Sequence, residues 1–243
     1  MIMKMYHKPV LLEETIDSLE IKESGVYVDL TFGGGGHSNE ILKRLNRKGK
    51  LIAFDSDMDA EDNLIDDSRF TFLRQNFIYL MQNLNFLKIT TVDGIVADLG
   101  VSSHQLDKEQ RGFSYNSNFD LDMRMDRHQE TDAIKILNTY NEKSLADLFF
   151  NNGDLKNSRP ISTLICDDRK KIKIKSSKQL NESLKSLLSK GYENKFLARV
   201  YQSIRIEVNN EIDSLKKLLI QIPALLKKNG IVSIITYHSI EDR

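Results

Sequence analysis

The stretch that decides the fold is residues 25–38, GVYVDLTFGGGGHS. Its first part is apolar and rich in β-branched and aromatic side chains, which favours a buried strand. Four consecutive glycines follow, although glycine inside a regular element costs about 0.5–1 kcal/mol relative to alanine. We interpret them as a turn that lets a ligand approach bare backbone. A strand, a glycine turn and a helix in this order are typical of a nucleotide-type cofactor site.

Four further stretches have the apolar composition of buried parallel strands, and helical patterns separate them. The five predicted strands are residues 25–30, 50–55, 69–74, 94–100 and 230–237. This alternation predicts an α/β fold, an open and mostly parallel sheet with helices on both faces. The interval from residue 100 to residue 230 is far longer than the ~12 residues that one crossover needs. We therefore place the core at 1–105 and 206–243, and a mainly helical inserted subdomain at 106–205.

The last predicted helix precedes the fifth strand, where leucines repeat at helical spacing over 215–226. Asn210 is its predicted N-cap and Gly230 its predicted C-terminal glycine. Pro223 lies inside the pattern, so we expect a kink there or two abutting helices.

Composition limits the classes of protein. Of the chain's 243 residues, 40% are hydrophobic and 29% are charged, which is typical of a globular protein. Its apolar runs are far shorter than the ~20 residues that span a bilayer. Its single cysteine excludes an internal disulfide and a multi-cysteine metal site, so we predict no metal and a reducing, cytoplasmic location. The formal net charge is zero, yet residues 169–178 read RKKIKIKSSK, which is either a surface for a polyanion or a solvated face.

Acidic residues end three of the predicted strands: Asp29, Asp55 and Asp98. The dinucleotide fingerprint G-x-G-x-x-G fails at Ser38. Asp29, Gly33 and Gly35 instead give D-x-x-x-G-x-G, which resembles the first motif of class I S-adenosylmethionine-dependent methyltransferases. That cofactor carries an ammonium and a sulfonium, which carboxylates suit. A dinucleotide-dependent oxidoreductase stays as an alternative, as does a glycine-rich turn with unrelated surface acids.

Longer motifs point to one family. The chain resembles ribosomal RNA small subunit methyltransferase H in KPVLLEE (8–14), TFGGGGHS (31–38), DLGVSSHQLD (98–107), RGFSY (111–115), LDMRMD (121–126), IRIEVNNEI (204–212) and YHSIEDR (237–243). The resemblance implies a Rossmann-like methyltransferase core with a helical domain inserted after the fourth strand. It also implies methylation of N4 of a cytidine in the decoding region of small-subunit (16S) rRNA, with free rRNA or the assembled small subunit as partner.

The family's cofactor contacts can be carried over by position. With Gly33 from the glycine motif, the resemblance implies S-adenosylmethionine contacts at Gly35, Gly36, His37, Asp55, Phe77, Asp98 and Gln105. The chain departs from the family at His104 and Asp120, where proline is usual, and at Gly34, where a larger residue is common. It also reads TYHSIEDR at 236–243, where SFHSLEDR is more usual. Family members continue past YHSIEDR, so we expect the last strands of the core to be missing. A non-catalytic RNA-binding or ribosome-assembly factor that keeps the cofactor pocket is therefore a second alternative.

Two residues are candidates for catalysis. Asp98 would accept a hydrogen bond from the substrate N–H and then its proton. His238 is the second candidate, and its alternative role is to hold the adjoining loop.

The candidates for RNA contact are Arg111, Phe113 and Arg124, with core packing or internal ion pairing as the alternative for each. A flipped base in such an enzyme is read by its edge and by stacking. The sequence leaves open whether the protein forms a homodimer.

Overall fold

The computed structural model describes residues 9–243. Residues 1–8, which include the first residue of the KPVLLEE motif, lie outside the described residues. The chain divides into two compact units. The first contains the residues up to Gly100 together with Ile212–Arg243, and the second is Val101–Glu211. No helix within residues 9–243 has the length and apolar character that crossing a bilayer requires.

The strands of the first unit form the predicted parallel sheet, in the order β3-β2-β1-β4-β5. They are β1 (Val26–Asp29), β2 (Lys50–Asp55), β3 (Phe70–Arg74), β4 (Val92–Asp98) and β5 (Leu226–Ile235). The α-helices of the described residues are α1 (Leu12–Ser18), α2 (Gly36–Arg44), α3 (Leu80–Phe86), α4 (Ser103–Asp107), α5 (Ala133–Thr139), α6 (Glu142–Gly153), α7 (Ser158–Lys171), α8 (Ser177–Ser183), α9 (Glu193–Asn209) and α10 (Glu211–Leu225).

Helices cover both faces of the sheet. Successive strand residues point to opposite faces, so each strand contributes side chains to both layers. Val28, Ile52 and Ile95 pack on one face in a cluster with residues of α3 and α10. Tyr27 and Leu51 point the other way, into a cluster with residues of α1 and α2. The sheet therefore has buried central strands, which explains their nearly continuous apolar sequences.

The last helix begins where the sequence predicts, but it does not end at the predicted glycine. Asn210 directly precedes α10, which begins at Glu211, and with a left-handed φ of 50° it also ends α9. A side-chain cap on α10 by Asn210 stays a prediction. Gly230 lies inside β5 rather than after a helix. Pro223 lies within the single helix α10, two residues before it ends at Leu225, so two abutting helices are not seen. The pairing of β5 with β4 is irregular at its start, since Val92 pairs with Leu226 whereas Gly94 pairs with Ile231.

The second unit is mainly helical and has a core of its own. Residues of α5, α6, α7, α8 and α9 form one buried cluster. The segment LDMRMD contributes Leu121 and Met123, both fully buried, so its alternating apolar residues serve this core. An isolated antiparallel bridge joins Asp120 to Ser176 and fixes the segment beside the start of α8.

Candidate functional site

Three carboxylates stand at the ends of neighbouring strands in the first unit. Asp29 ends β1, Asp55 ends β2 and Asp98 ends β4, and β1 lies between the other two. Because parallel strands end at the same edge of a sheet, this places all three acids at the carboxyl edge, where open α/β sheets bind ligands. The strand-end acids are thus brought together as the sequence indicated.

Asp29 holds the glycine turn together. One oxygen accepts a hydrogen bond from the Ser38 hydroxyl at 2.7 Å and the other accepts one from the Thr31 N–H at 3.1 Å. The side chain is only 1% exposed. Burial raises the pKa of Asp29, and the Ser38 hydrogen bond and nearby His37 oppose that rise. Asp29 therefore links the end of β1 to the first turn of α2.

Asp55 binds the same turn from the next strand. Its Oδ2 accepts the Gly33 N–H at 2.7 Å, and its Oδ1 accepts the Asp57 N–H at 2.8 Å. The residue keeps some exposed surface, although burial of the carboxyl group raises its pKa to about 6. Each oxygen has a second lone pair, so the carboxylate can still accept hydrogen bonds from ligand hydroxyls.

Different structural constraints act at the four glycine positions. Gly33 and Gly35 have positive φ, at 48° and 74°, a region that glycine enters without steric cost. A Cβ on Gly36 would lie 2.1 Å from Cγ of Pro9, so this glycine is required by packing. A Cβ on Gly34 would meet no atom of residues 9–243 within 4 Å. Internal structure thus explains three of the glycines, and only Gly34 faces open space.

His37 carries a buried polar atom that the described protein does not satisfy. The residue is 5% exposed at the start of α2, and its Nε2 has no hydrogen-bond partner within residues 9–243. It is close enough to Asp29 and Asp98 to influence the pKa values of both carboxyl groups. An unsatisfied buried donor or acceptor costs about 1–3 kcal/mol, which a bound ligand can recover.

Asp98 is held by its backbone and by its side chain. Its N–H donates to the Thr31 hydroxyl oxygen at 2.7 Å, and its Oδ1 accepts a hydrogen bond from the Tyr237 hydroxyl at 2.7 Å. Burial raises the pKa of Asp98, while the Tyr237 hydrogen bond and His37 oppose the rise. Sequence reasoning missed Tyr237; its position just after the fifth strand, beside His238, is the signal that could have found it.

His238 contacts the loop that follows it. Its Nδ1 accepts the Glu241 N–H at 3.3 Å, and its Nε2 lies 3.5 Å from a carboxylate oxygen of the same glutamate. Both ring nitrogens therefore face Glu241, which is the loop-holding arrangement left open by the sequence. A role in proton transfer stays a prediction.

Phe77 and Gln105 lie in different units. Phe77 follows β3, and its partly buried ring packs against the sheet core. Gln105 is buried in α4, where its Oε1 accepts the Ser102 N–H at 3.0 Å and completes a capping box. Cofactor contact stays a prediction for both residues.

The candidates for RNA contact in the second unit are engaged inside the protein. Arg111 is 3% exposed and donates to the Arg124 carbonyl oxygen at 2.8 Å, and Phe113 is 7% exposed in the core. Arg124 forms a bidentate pair with Asp122, with distances of 2.6 and 2.9 Å. These contacts are the core packing and internal pairing that the sequence left as the alternative. Contact with RNA stays a prediction for all three residues.

The basic run 169–178 is only partly available as a positive surface. Lys170 and Lys171 pair with Asp167 and Asp168 at 2.8 and 2.9 Å. Arg169 donates to the Leu137 carbonyl oxygen. The remaining lysines of the run are exposed.

Comparison with known proteins gives a consistent result over the whole chain. The sequence model of the MraW methylase family matches residues 4–243. Ribosomal RNA small subunit methyltransferase H of Christiangramia forsetii is 52% identical over 243 residues, covering 100% of this chain and 80% of that protein. The proteins of the same name from Flavobacterium johnsoniae and Bacteroides fragilis are 50% and 48% identical over 238 residues, covering 98% of this chain and 79% and 78% of theirs.

Solved structures match more weakly. A methyltransferase from an antibiotic biosynthesis pathway of Anabaena variabilis has 16% identity and a TM-score of 0.32, over 40% of this chain and 37% of that one. The family match, by contrast, extends over residues 4–243. The dinucleotide-dependent alternative is not favoured, and the chain belongs to the MraW methylase family.

Proposed function

We propose that this protein transfers a methyl group from S-adenosylmethionine to N4 of a cytidine in the decoding region of small-subunit (16S) rRNA. The name shared by its relatives supports an rRNA substrate. The observation that carries the proposal is the set of three strand-end carboxylates around a glycine turn. The nucleotide and the choice between free rRNA and assembled subunit come from the family resemblance.

The residues present fit S-adenosylmethionine better than a dinucleotide. A helix N-terminus favours a pyrophosphate when its surroundings are neutral or positive, but the start of α2 lies beside Asp29, which is buried and bonded to Ser38 of the helix. Asp55 is placed to accept ribose hydroxyls, and His37 offers an unsatisfied ring nitrogen. When bound, the cofactor supplies a methyl group on a positively charged sulfur, which the negative edge of the sheet favours electrostatically.

Asp98 is the residue that we assign to the substrate amine. The N4 lone pair of cytosine is delocalised into the ring, so the nitrogen is a poor nucleophile. A carboxylate that accepts one N4–H localises electron density on nitrogen and is then placed to receive the proton. Asp98 is partly exposed at the carboxyl edge, so a substrate can reach it. Orientation of the base and removal of water would supply much of the remaining rate.

The test is transfer of labelled methyl groups to small ribosomal subunits that lack the modification, followed by mass mapping of the cytidine. We expect wild-type protein to label N4 of one cytidine. Asp98→Asn keeps the shape of the side chain but removes the proton acceptor, so its rate should fall by about 10²–10⁴-fold.

The matched control is Asp66→Asn, which changes an exposed aspartate on the surface and should keep the wild-type rate. Label on another atom or nucleotide, or an Asp98→Asn protein as active as wild type, would contradict the proposal. Binding to the subunit without any transfer would favour the assembly-factor alternative.

A further inference from the structure

The hydroxyl of Tyr237 is the one side-chain donor to Asp98 within residues 9–243. We propose that Tyr237 is a positioning residue, which holds Oδ1 of Asp98 and leaves Oδ2 as the oxygen that accepts the substrate N–H. This inference rests on the function proposed above. It gives the two oxygens of one carboxylate separate roles.

Asp98 has little conformational freedom. Its N–H is bound by the Thr31 hydroxyl oxygen at 2.7 Å, and the next N–H, of Leu99, donates to the Ile235 carbonyl oxygen of β5 at 3.0 Å. The Tyr237 hydroxyl then reaches Oδ1 at 2.7 Å. An O–H···O⁻ bond of this length is charge-assisted and stronger than a neutral hydrogen bond. Within the described residues, Oδ2 accepts no hydrogen bond.

Tyr237 is itself held in place. Its N–H donates to a carboxylate oxygen of Glu241 at 2.9 Å, and the side chain of that glutamate is only 2% exposed. The adjacent Thr236 hydroxyl donates to Asp242 at 2.6 Å. Residues 236–242 thus fold back on themselves and fix the backbone from which the tyrosine extends. A group fixed before the substrate arrives orients a carboxylate without further loss of conformational freedom.

Three titratable groups surround the Asp98 carboxylate. His37 faces it from α2, Asp29 from the end of β1, and Tyr237 from the segment after β5. Burial raises the pKa of Asp98, and the tyrosine hydrogen bond lowers it towards the ordinary range. Loss of the hydroxyl should therefore raise the pH at which Asp98 ionises.

The experiment compares wild-type and Tyr237→Phe proteins in single-turnover methyl transfer to small subunits, across the pH range. One hydrogen bond to a charged group corresponds to about one unit of pKa. We expect the acid limb of the variant's pH profile to move up by about one unit, so that the rate falls ~tenfold below the limb and largely recovers above it. The KM for the cofactor should stay within about twofold, because the ring is retained.

Three controls separate positioning from general damage. Tyr192→Phe removes the hydroxyl of another exposed tyrosine, in the second unit, and should leave the profile unchanged. Tyr237→Phe added to Asp98→Asn should cause no further loss, because the tyrosine acts through the carboxylate. Titration of the Asp98 carboxyl carbon by NMR should show a higher pKa in Tyr237→Phe even in the absence of substrate.

Unchanged pH and NMR profiles in Tyr237→Phe would overturn this inference alone if wild-type protein still methylates N4. An equal loss at every pH, with an unchanged Asp98 titration, would also overturn it. Absence of N4 methylation by wild-type protein would overturn both this inference and the proposed function.

Discussion

Ionisation of Asp55 should make the affinity for the cofactor depend on pH near neutrality. Burial raises its pKa to about 6, and only the carboxylate form can accept hydrogen bonds from both ribose hydroxyls. We expect the affinity for S-adenosylmethionine to fall as the pH drops through about 6, by up to about tenfold per pH unit below it. Isothermal titration calorimetry at a series of pH values measures this directly.

Asp55→Asn should bind the cofactor more weakly and lose this pH dependence, because the amide does not ionise. Asp66→Asn should keep the wild-type curve, since this aspartate is exposed on the surface. A wild-type affinity that stays constant from about pH 8 to about pH 5 would show that Asp55 does not bind the ligand as its carboxylate.

The site residues that the sequence located are those fixed by strand ends. Asp29, Asp55 and Asp98 could be placed because a parallel sheet aligns its carboxyl ends. Tyr237 could not, because its contact with Asp98 depends on the turn that follows β5. Arg111 ends a short 3₁₀ helix, Glu109–Arg111, in a stretch without a hydrophobic period, so its burial has no signal in the sequence.

Within the strand–turn–helix element, Gly36 and Gly34 provide a matched pair of variants. The Cβ of Gly36→Ala would lie 2.1 Å from the Pro9 ring, and such overpacking costs about 1–3 kcal/mol. Gly34→Ala introduces the same methyl group into open space and should change stability by less than about 0.5 kcal/mol. Urea unfolding of both variants measures the difference, and equal stabilities would contradict the packing of Pro9 on α2.

Element boundaries were harder to predict than the elements themselves. The strands stood out because buried parallel strands are continuously apolar. Asn210 lies between the end of α9 and the start of α10, and asparagine suits both an N-cap and a left-handed helix end. Gly230 was predicted to follow a helix but lies in an irregularly paired stretch of β5. Glycine occurs at strand irregularities as well as at helix ends.

For the whole molecule, the length between the fourth and fifth strands indicated a second unit, but not what its side chains do. The basic run and the arginines there were candidates for RNA contact from charge alone. The structure shows that ion pairs within the unit engage several of them. A sequence does not show which charged side chains will pair after folding. The prediction of RNA-contact residues in the second unit was therefore the least specific.

The carboxylates at the sheet edge should also govern how stability depends on pH and ligand. Burial raises the pKa values of Asp29, Asp55 and Asp98, so the folded protein binds protons more tightly than the unfolded chain. Their contribution to the free energy of unfolding should therefore fall as the pH rises from about 4 through about 6, the pKa of Asp55. A positively charged ligand offsets this loss, so S-adenosylmethionine should raise the thermal midpoint more at about pH 7.5 than at about pH 5.

S-adenosylhomocysteine, which lacks the sulfonium charge, is the matched control and should show a smaller difference between the two pH values. Equal pH dependence for the two ligands in differential scanning fluorimetry would mean that the carboxylates do not act on the sulfonium.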